Sequence, residues 1–386
     1  MESKLNEIIQ YFGSGDTVPA TKMVLDMALD SFNPEIYHRT LEWYEWIETN
    51  KEQSTQEVIE KTTPLLSLIR DNGALVKHAE KGNLLELEDI GKTYSKGNFS
   101  LKPLSFNVRS GEVVGLVGEN GNGKTTLLRI LARELKEDRG NIEYHIPDIP
   151  SGNDYLLKSS LVYIPQRIPR WYGTLMDNLQ FTLSIHQTYN SENTLRATLM
   201  IARMGLMPFK DLTWTQISSG YKTRFELAKS LLRKPKLLLL DEPLANLDII
   251  SQQTVLQDLK MMAKSSTSPF GMVLSSQQLY EVEKVSDQII FLRDGEAKFQ
   301  NNREEDVTEA EAILYEIETK ADRQALLLAF SSSIVPEITF NGGVYILKFP
   351  IGTSTQSILV GLSGLDQDVL YIRNISQSSR RFFIKA

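Results

Sequence analysis

The stretch Gly118-Glu119-Asn120-Gly121-Asn122-Gly123-Lys124-Thr125-Thr126 leaves this chain few folds to choose from. It follows the apolar run Val113-Val114-Gly115-Leu116-Val117 and precedes Leu127-Leu128-Arg129-Ile130-Leu131, an order that reads strand, glycine-rich turn, helix. In such a turn the backbone N–H groups and the helix N-terminus point at one anion. Glycines keep Cβ atoms out of the way of phosphate oxygens. Lys124 supplies a point charge for the β and γ phosphates, and the Thr125 hydroxyl is placed to ligate Mg²⁺. A Gly/Asn-rich loop that matches by accident is the bland alternative, and the strand before it and the helix after it argue against that.

The remaining composition sets wide bounds. The 386 residues suit two or three domains, and 41% hydrophobic with 24% charged residues is the balance of a globular protein. No apolar run approaches the roughly 20 residues that span a bilayer, and the first residues carry no leader pattern, so the chain is expected in the cytoplasm. Without cysteine there is no disulfide, thiolate nucleophile or Cys-based metal site. A net charge of −7 argues against a protein that coats nucleic acid.

Residues 1–80 read as a helical domain. Asn33-Pro34-Glu35 and Ser54-Thr55-Gln56-Glu57 are helix starts, and Pro64 predicts a kink or break in the second helix, which should stop near Asn72-Gly73. Trp43 and Trp46 fall on one face and are read as core in preference to a ligand site. From Leu84 the pattern turns β-rich: 84–90 and 104–108 alternate, which suggests an antiparallel layer beside a parallel α/β core. Leu161 to Gln166 is a strand ending at a glutamine, followed by helix to about Met207. Ile217-Ser218-Ser219-Gly220-Tyr221 opens another helix. The four leucines 237–240 suit a strand buried on both faces, and Asp241-Glu242 at its end lie where ligands bind in open α/β sheets. Met272 to Ser276 repeats the pattern and ends at Gln277-Gln278. After about residue 305 the order βαββαβ predicts a ferredoxin-like unit, 306–386, with a hairpin around Asn341-Gly342-Gly343.

Taken in series, residues 84–305 resemble the nucleotide-binding domain of the ATP-binding cassette family. Tyr94 resembles the aromatic residue that stacks on adenine, Gly118 to Thr126 the Walker A loop, and Gln166 the Q-loop glutamine. Ile217 to Tyr221 looks like the family signature, Leu237 to Glu242 the Walker B strand, and Leu247-Asp248 the D-loop. The resemblance implies that Gly118, Asn120, Gly121, Asn122, Gly123, Lys124, Thr125 and Thr126 bind ATP. Asp241, with Thr125 and Gln166, would hold Mg²⁺, and Glu242 would orient or deprotonate the attacking water. Ser218 and Gly220 would complete the ATP site of a second copy, giving a head-to-tail dimer; Ser218 can also be a plain N-cap. For Tyr94 the alternative is an ordinary strand-end tyrosine. The tail is similar to the C-terminal extension of some exporter-type ATP-binding subunits.

The resemblance therefore implies an ATPase subunit that drives a separate membrane permease, in the export direction, from the cytoplasmic face of the membrane. Trp171 and Tyr172 lie where family members meet that partner, or else pack the helical subdomain. The alternatives are a soluble ATP-dependent switch acting on nucleic acid or protein, and a sensor that binds ATP and hardly hydrolyses it. The sensor reading draws on Gln277, which stands where the family carries a histidine; His38, His78, His145 and His186 all precede the Walker B strand. An amide donates a hydrogen bond but carries neither charge nor proton. Slow hydrolysis with binding intact is the expected result, and Gln277→His should raise the single-turnover rate; an unchanged rate removes the argument.

Overall fold

The computed structural model describes residues 2–50, 53–72, 82–95, 99–147, 149–150, 152–186, 188–245, 247–265, 268–302, 312–330 and 335–376. The chain opens with four helices, α1 (Glu2–Gly13), α2 (Thr17–Leu29), α3 (Pro34–Thr49) and α4 (Thr55–Asn72). Asn33 caps α3 by accepting from the Glu35 N–H at 2.9 Å, and Pro34 occupies the first turn, where its missing N–H costs nothing. Trp43 packs edge-on against Phe12, and its indole N–H donates to Thr62 Oγ1 at 3.0 Å; Trp46 is half-buried. The break expected at Pro64 does not occur: α4 runs unbroken from Thr55 to Asn72. Two threonine hydroxyls just before the proline, Thr62 and Thr63, bond back to the carbonyls of Val58 and Ile59 at 2.6 and 2.7 Å, while the carbonyl that Pro64 leaves without an N–H is that of Glu60.

The elements from 83 to 302 are β1 (Asn83–Thr93), β2 (Ser100–Arg109), β3 (Val113–Val117), α5 (Lys124–Leu131), β4 (Arg139–Tyr144), α6 (Asp154–Ser160), β5 (Leu161–Ile164), α7 (Leu175–Ile185), α8 (Asn190–Arg203), α9 (Ser219–Leu232), β6 (Leu237–Leu240), α10 (Ile249–Ala263), β7 (Gly271–Ser276), α11 (Leu279–Val285), β8 (Gln288–Arg293) and β9 (Glu296–Asn302). An antiparallel sheet of order β2-β1-β4 lies beside a six-stranded sheet of order β5-β6-β7-β3-β8-β9. The second is parallel from β5 to β8, and β9 returns antiparallel. All of β3, β6 and β7 is buried, which is why β3 and β6 are continuously apolar, while β7 ends in two buried serines, Ser275 and Ser276. The register then fixes what meets at their carboxyl ends. Val117 is paired with Ser276, and Leu240 with Leu274, so Gly118, Asp241 and Ser275 to Gln277 emerge side by side.

The helical N-terminal unit is joined to this core by a buried charge network. The Arg203 side chain on α8, fully buried, bonds Asp26 on α2 at 2.7 Å and lies 3.4 Å from Asp258 on α10. Lys22 reaches Asp258 at 2.7 Å. Burial pushes the Asp26 carboxyl upward in spite of the neighbouring guanidinium, so desolvation outweighs the attraction.

The tail folds as β10 (Ile313–Thr319), α12 (Arg323–Ala329), β11 (Glu337–Asn341), β12 (Val344–Phe349), α13 (Thr355–Ser363) and β13 (Val369–Asn374), in the sheet order β11-β12-β10-β13. This is the expected ferredoxin-like arrangement. Gly342 and Gly343 take φ of 58° and 98°, the left-handed values a tight hairpin needs. Arg373 on β13 lies 3.4 Å from Glu283 on α11, linking the unit to the core. The expected boundaries near 80 and 305 fall at or beside residues outside those described.

Because a buried pair costs most when half of it is removed, Asp26→Ala should lower stability by about 3 kcal/mol. Arg203→Met with Asp26→Leu together should cost much less. Chemical denaturation of both variants checks this.

Candidate active site

The glycine turn has the shape of an anion cradle. Gly121 and Gly123 take φ of 83° and 98°. A Cβ at Gly118 would lie 2.4 Å from the Leu292 carbonyl oxygen, and one at Gly123 would lie 2.9 Å from the Phe99 ring. Helix α5 begins at Lys124, so its free N–H groups face the turn. The Lys124 ammonium, only 4% exposed, donates to the carbonyls of Gly118 and Glu119 at 2.7 and 3.2 Å and pairs with Glu242 Oε1 at 3.1 Å. Asn122 turns its side chain away from the cradle, accepting from the Asp294 N–H at 3.0 Å and so pinning the β8–β9 turn against the loop.

Asp241 is 3% exposed and is held by three hydroxyls. Thr125 donates to Oδ2 at 2.7 Å, Tyr163 to Oδ2 at 3.3 Å and Ser275 to Oδ1 at 2.8 Å. Among the described residues no lysine, arginine or histidine pairs with it. A buried carboxylate without a cation, next to a threonine hydroxyl, has the oxygen donors and the uncompensated charge that suit Mg²⁺. Thr125 and Asp241 are thus residues whose chemistry would suit Mg²⁺.

Glu242 adopts φ of 47°, strained for a residue with a Cβ. Its N–H donates to Ser275 Oγ at 2.9 Å. Its carboxylate takes Gln166 Nε2 at 2.7 Å and Gln277 Nε2 at 3.0 Å on Oε2, and Lys124 on Oε1. Gln166, expected to help hold Mg²⁺, and Gln277, which stands where the family carries a histidine, are thus brought together on the acid.

Tyr94 is 36% exposed, with its hydroxyl 3.5 Å from Thr126 Oγ1, so it stands at the edge of the cradle. Phe99, which no motif marks in the sequence, lies 6.2 Å from it and covers Gly123. Ser218 caps α9, accepting from the Tyr221 N–H at 3.5 Å. Gly220 packs so close to Leu247 that a Cβ would approach its Cδ2 to 2.9 Å. Among the described residues no hydrogen bond or ion pair joins Ser218 or Gly220 to the glycine turn of the same chain. Trp171 and Tyr172 divide the two readings offered for them. Trp171 is buried against Phe225 and Trp214, while Tyr172 is 82% exposed.

Ser275 and Tyr163 were missed for the same reason: neither sits in a recognisable motif, and their contacts depend on which strands are neighbours. The only signal was a serine inside a strand otherwise buried and apolar.

Comparison with known proteins agrees with this geometry. The family described as "ABC transporter" matches residues 101–245. The spermidine/putrescine import ATP-binding protein of Mycoplasma mycoides is 32% identical over 216 residues, 56% of this chain and 60% of the relative. The chain thus spans less than two thirds of that protein's length. The aliphatic sulfonates import ATP-binding protein of Corynebacterium glutamicum is 33% identical over 196 residues, 50% of this chain and 74% of the relative. Among solved structures, CbiO1 of Clostridium perfringens, described as part of an ABC transporter complex, shares 25% identity at a TM-score of 0.50, covering 57% of this chain and 88% of that one. The export direction expected from the tail finds no support here: both relatives are named as import proteins, and the ferredoxin-like topology on which it rested does not encode direction.

Tyr94→Ala should weaken ATP binding by about 1–3 kcal/mol and Tyr94→Phe by far less, because the π-face and not the hydroxyl carries stacking. Titration with a fluorescent ATP analogue measures both.

Proposed function

The chain belongs to the ATP-binding cassette ATPases, and from that membership we propose that it binds and hydrolyses ATP to drive a separate membrane-embedded transporter. The observation that carries this reading is Lys124, a buried ammonium at the mouth of a glycine cradle, paired with the acid that would activate water. ATP phosphates entering the cradle compete with Glu242 for that ammonium. Once displaced, the Glu242 carboxylate is free to accept a proton from the attacking water, held in place by Gln166 and Gln277. Mg²⁺, held by Thr125 and Asp241, neutralises phosphate charge when bound. Tyr94 offers its ring to the base.

The sequence carries one glycine cradle and one signature-like stretch, Ile217 to Tyr221, so the complete site takes Ser218 and Gly220 from a second copy. Closure of two copies around ATP and opening after hydrolysis would supply the motion. The names of the relatives favour import, and exposed Tyr172 is the side chain offered to a membrane partner. No described helix is long and apolar enough to cross a membrane, so the transport path would belong to that partner.

Lys124→Ala should reduce ATP affinity at least tenfold, the loss expected for one charge-assisted contact to phosphate. Glu242→Gln should keep affinity and abolish turnover. Full affinity in Lys124→Ala, or recovery of the chain from membranes without any polytopic partner, would count against the assignment.

A further inference from the structure

Asp241 and Glu242 are consecutive but face different tasks, and one hydroxyl touches both. Ser275, completely buried on β7, donates to Asp241 Oδ1 at 2.8 Å and accepts from the Glu242 N–H at 2.9 Å. The parallel register places it there, since Leu240 is paired with Leu274 and the next residue of each strand stays alongside. From the other side, β5 pairs Ile164 with Leu240 and brings the Tyr163 hydroxyl to Asp241 Oδ2 at 3.3 Å.

These contacts restrain two different motions. Rotation of the Asp241 carboxylate would break bonds at both oxygens, because Oδ1 is taken by Ser275 and Oδ2 by Thr125 and Tyr163. At Glu242 the left-handed backbone, φ of 47°, would relax if its peptide could turn, and the Ser275 oxygen holds the N–H against that turn.

We propose that Ser275 is a positioning residue shared by the two acids, setting the Asp241 carboxylate toward Mg²⁺ and the Glu242 peptide toward the attacking water, with Tyr163 as the second support of Asp241. This rests on the function assigned above. Ser275 itself touches neither substrate nor metal.

The test uses the full chain, a fluorescent ATP analogue and a Mg²⁺ titration of its binding signal, alongside single-turnover hydrolysis. Ser275→Ala should keep Mg²⁺-free affinity within about twofold, raise the Mg²⁺ half-saturation about tenfold, and slow hydrolysis at saturating Mg²⁺ about tenfold, as fits the loss of one hydrogen bond to a charged group. In a Glu242→Gln background, which leaves no turnover to compare, Ser275→Ala should still raise the Mg²⁺ half-saturation, because that shift acts through Asp241. Tyr163→Phe should raise the Mg²⁺ half-saturation about threefold. A wild-type Mg²⁺ dependence in Ser275→Ala, with only its melting temperature lowered, makes the serine structural and overturns the proposal. If Ser275→Ala does not fold, Tyr163→Phe decides, and an unshifted half-saturation there overturns it. A wild-type chain that binds no ATP analogue overturns the assigned function and this proposal together; the other negative outcomes sink the proposal alone.

Discussion

The carboxyl-terminal edge of the large sheet is arranged around one ammonium group. Lys124 is 4% exposed, and a charge so buried is tolerated only when its donors are met. Two acceptors, the carbonyls of Gly118 and Glu119, come with its own turn. The third, Glu242, comes from the end of β6, so the strand carrying the glycine turn and the strand carrying the acids must end at the same level. They are not neighbours: β7 runs between β3 and β6. That middle strand therefore ends under both, and Ser275 near its end and Gln277 just after it are the ones that reach the acids. The demand of a buried cation and the order of three parallel strands together explain why a serine and a glutamine from β7 enter a site whose recognisable motifs lie elsewhere.

The units at either end of the chain hold helices that leave this edge. Helix α10 starts just after Asp248, and Gln252 within it donates to the carbonyls of Leu244 and Leu247 at 3.1 Å each, tying the helix to the segment behind Glu242. The N-terminal unit grips α10 through Asp258 and α8 through Arg203, so sliding one helix past the other must break the ion pairs of a fully buried guanidinium. Helix α11 starts two residues after Gln277, and the ferredoxin-like unit meets it at Glu283. Both units are thereby attached one helix away from groups that touch Glu242.

How much of each feature was legible in the sequence depends on the distance over which its interactions act. The glycine turn, the Asn33 cap, the Asn341-Gly342-Gly343 hairpin and the buried strand of leucines are set by residues a few positions apart, and all were legible. The βαββαβ order of the tail was legible because each of its elements has its own period. At Pro64 the helix continues without a break, because the packing of α4 against α1 and α3 outweighs the one missing N–H. The Arg203 network and the Ser275 and Tyr163 contacts join residues brought together only by strand order and helix packing, and no local pattern announces such neighbours. The positions of Gln166 and Gln277 are marked by motif order, but their shared contact with Glu242 is a fact of geometry that no local pattern carries.

That shared partner bears on the chemistry of the glutamine that replaces the family histidine. A general base has to be held still while keeping a lone pair open to the water it activates. Gln166 and Gln277 both donate to the same oxygen, Oε2, which among the described residues leaves Oε1 to Lys124. Phosphate binding that draws Lys124 away would open Oε1 while the two amides keep the carboxylate in place. A histidine at 277 could take up a proton after the water is split; the amide of Gln277 cannot, so the proton must stay on Glu242 or pass to phosphate. With Glu242 as the proposed base, the cost of the substitution would fall on the steps after proton abstraction, while the grip on the acid, which needs only an N–H donor, is present with glutamine.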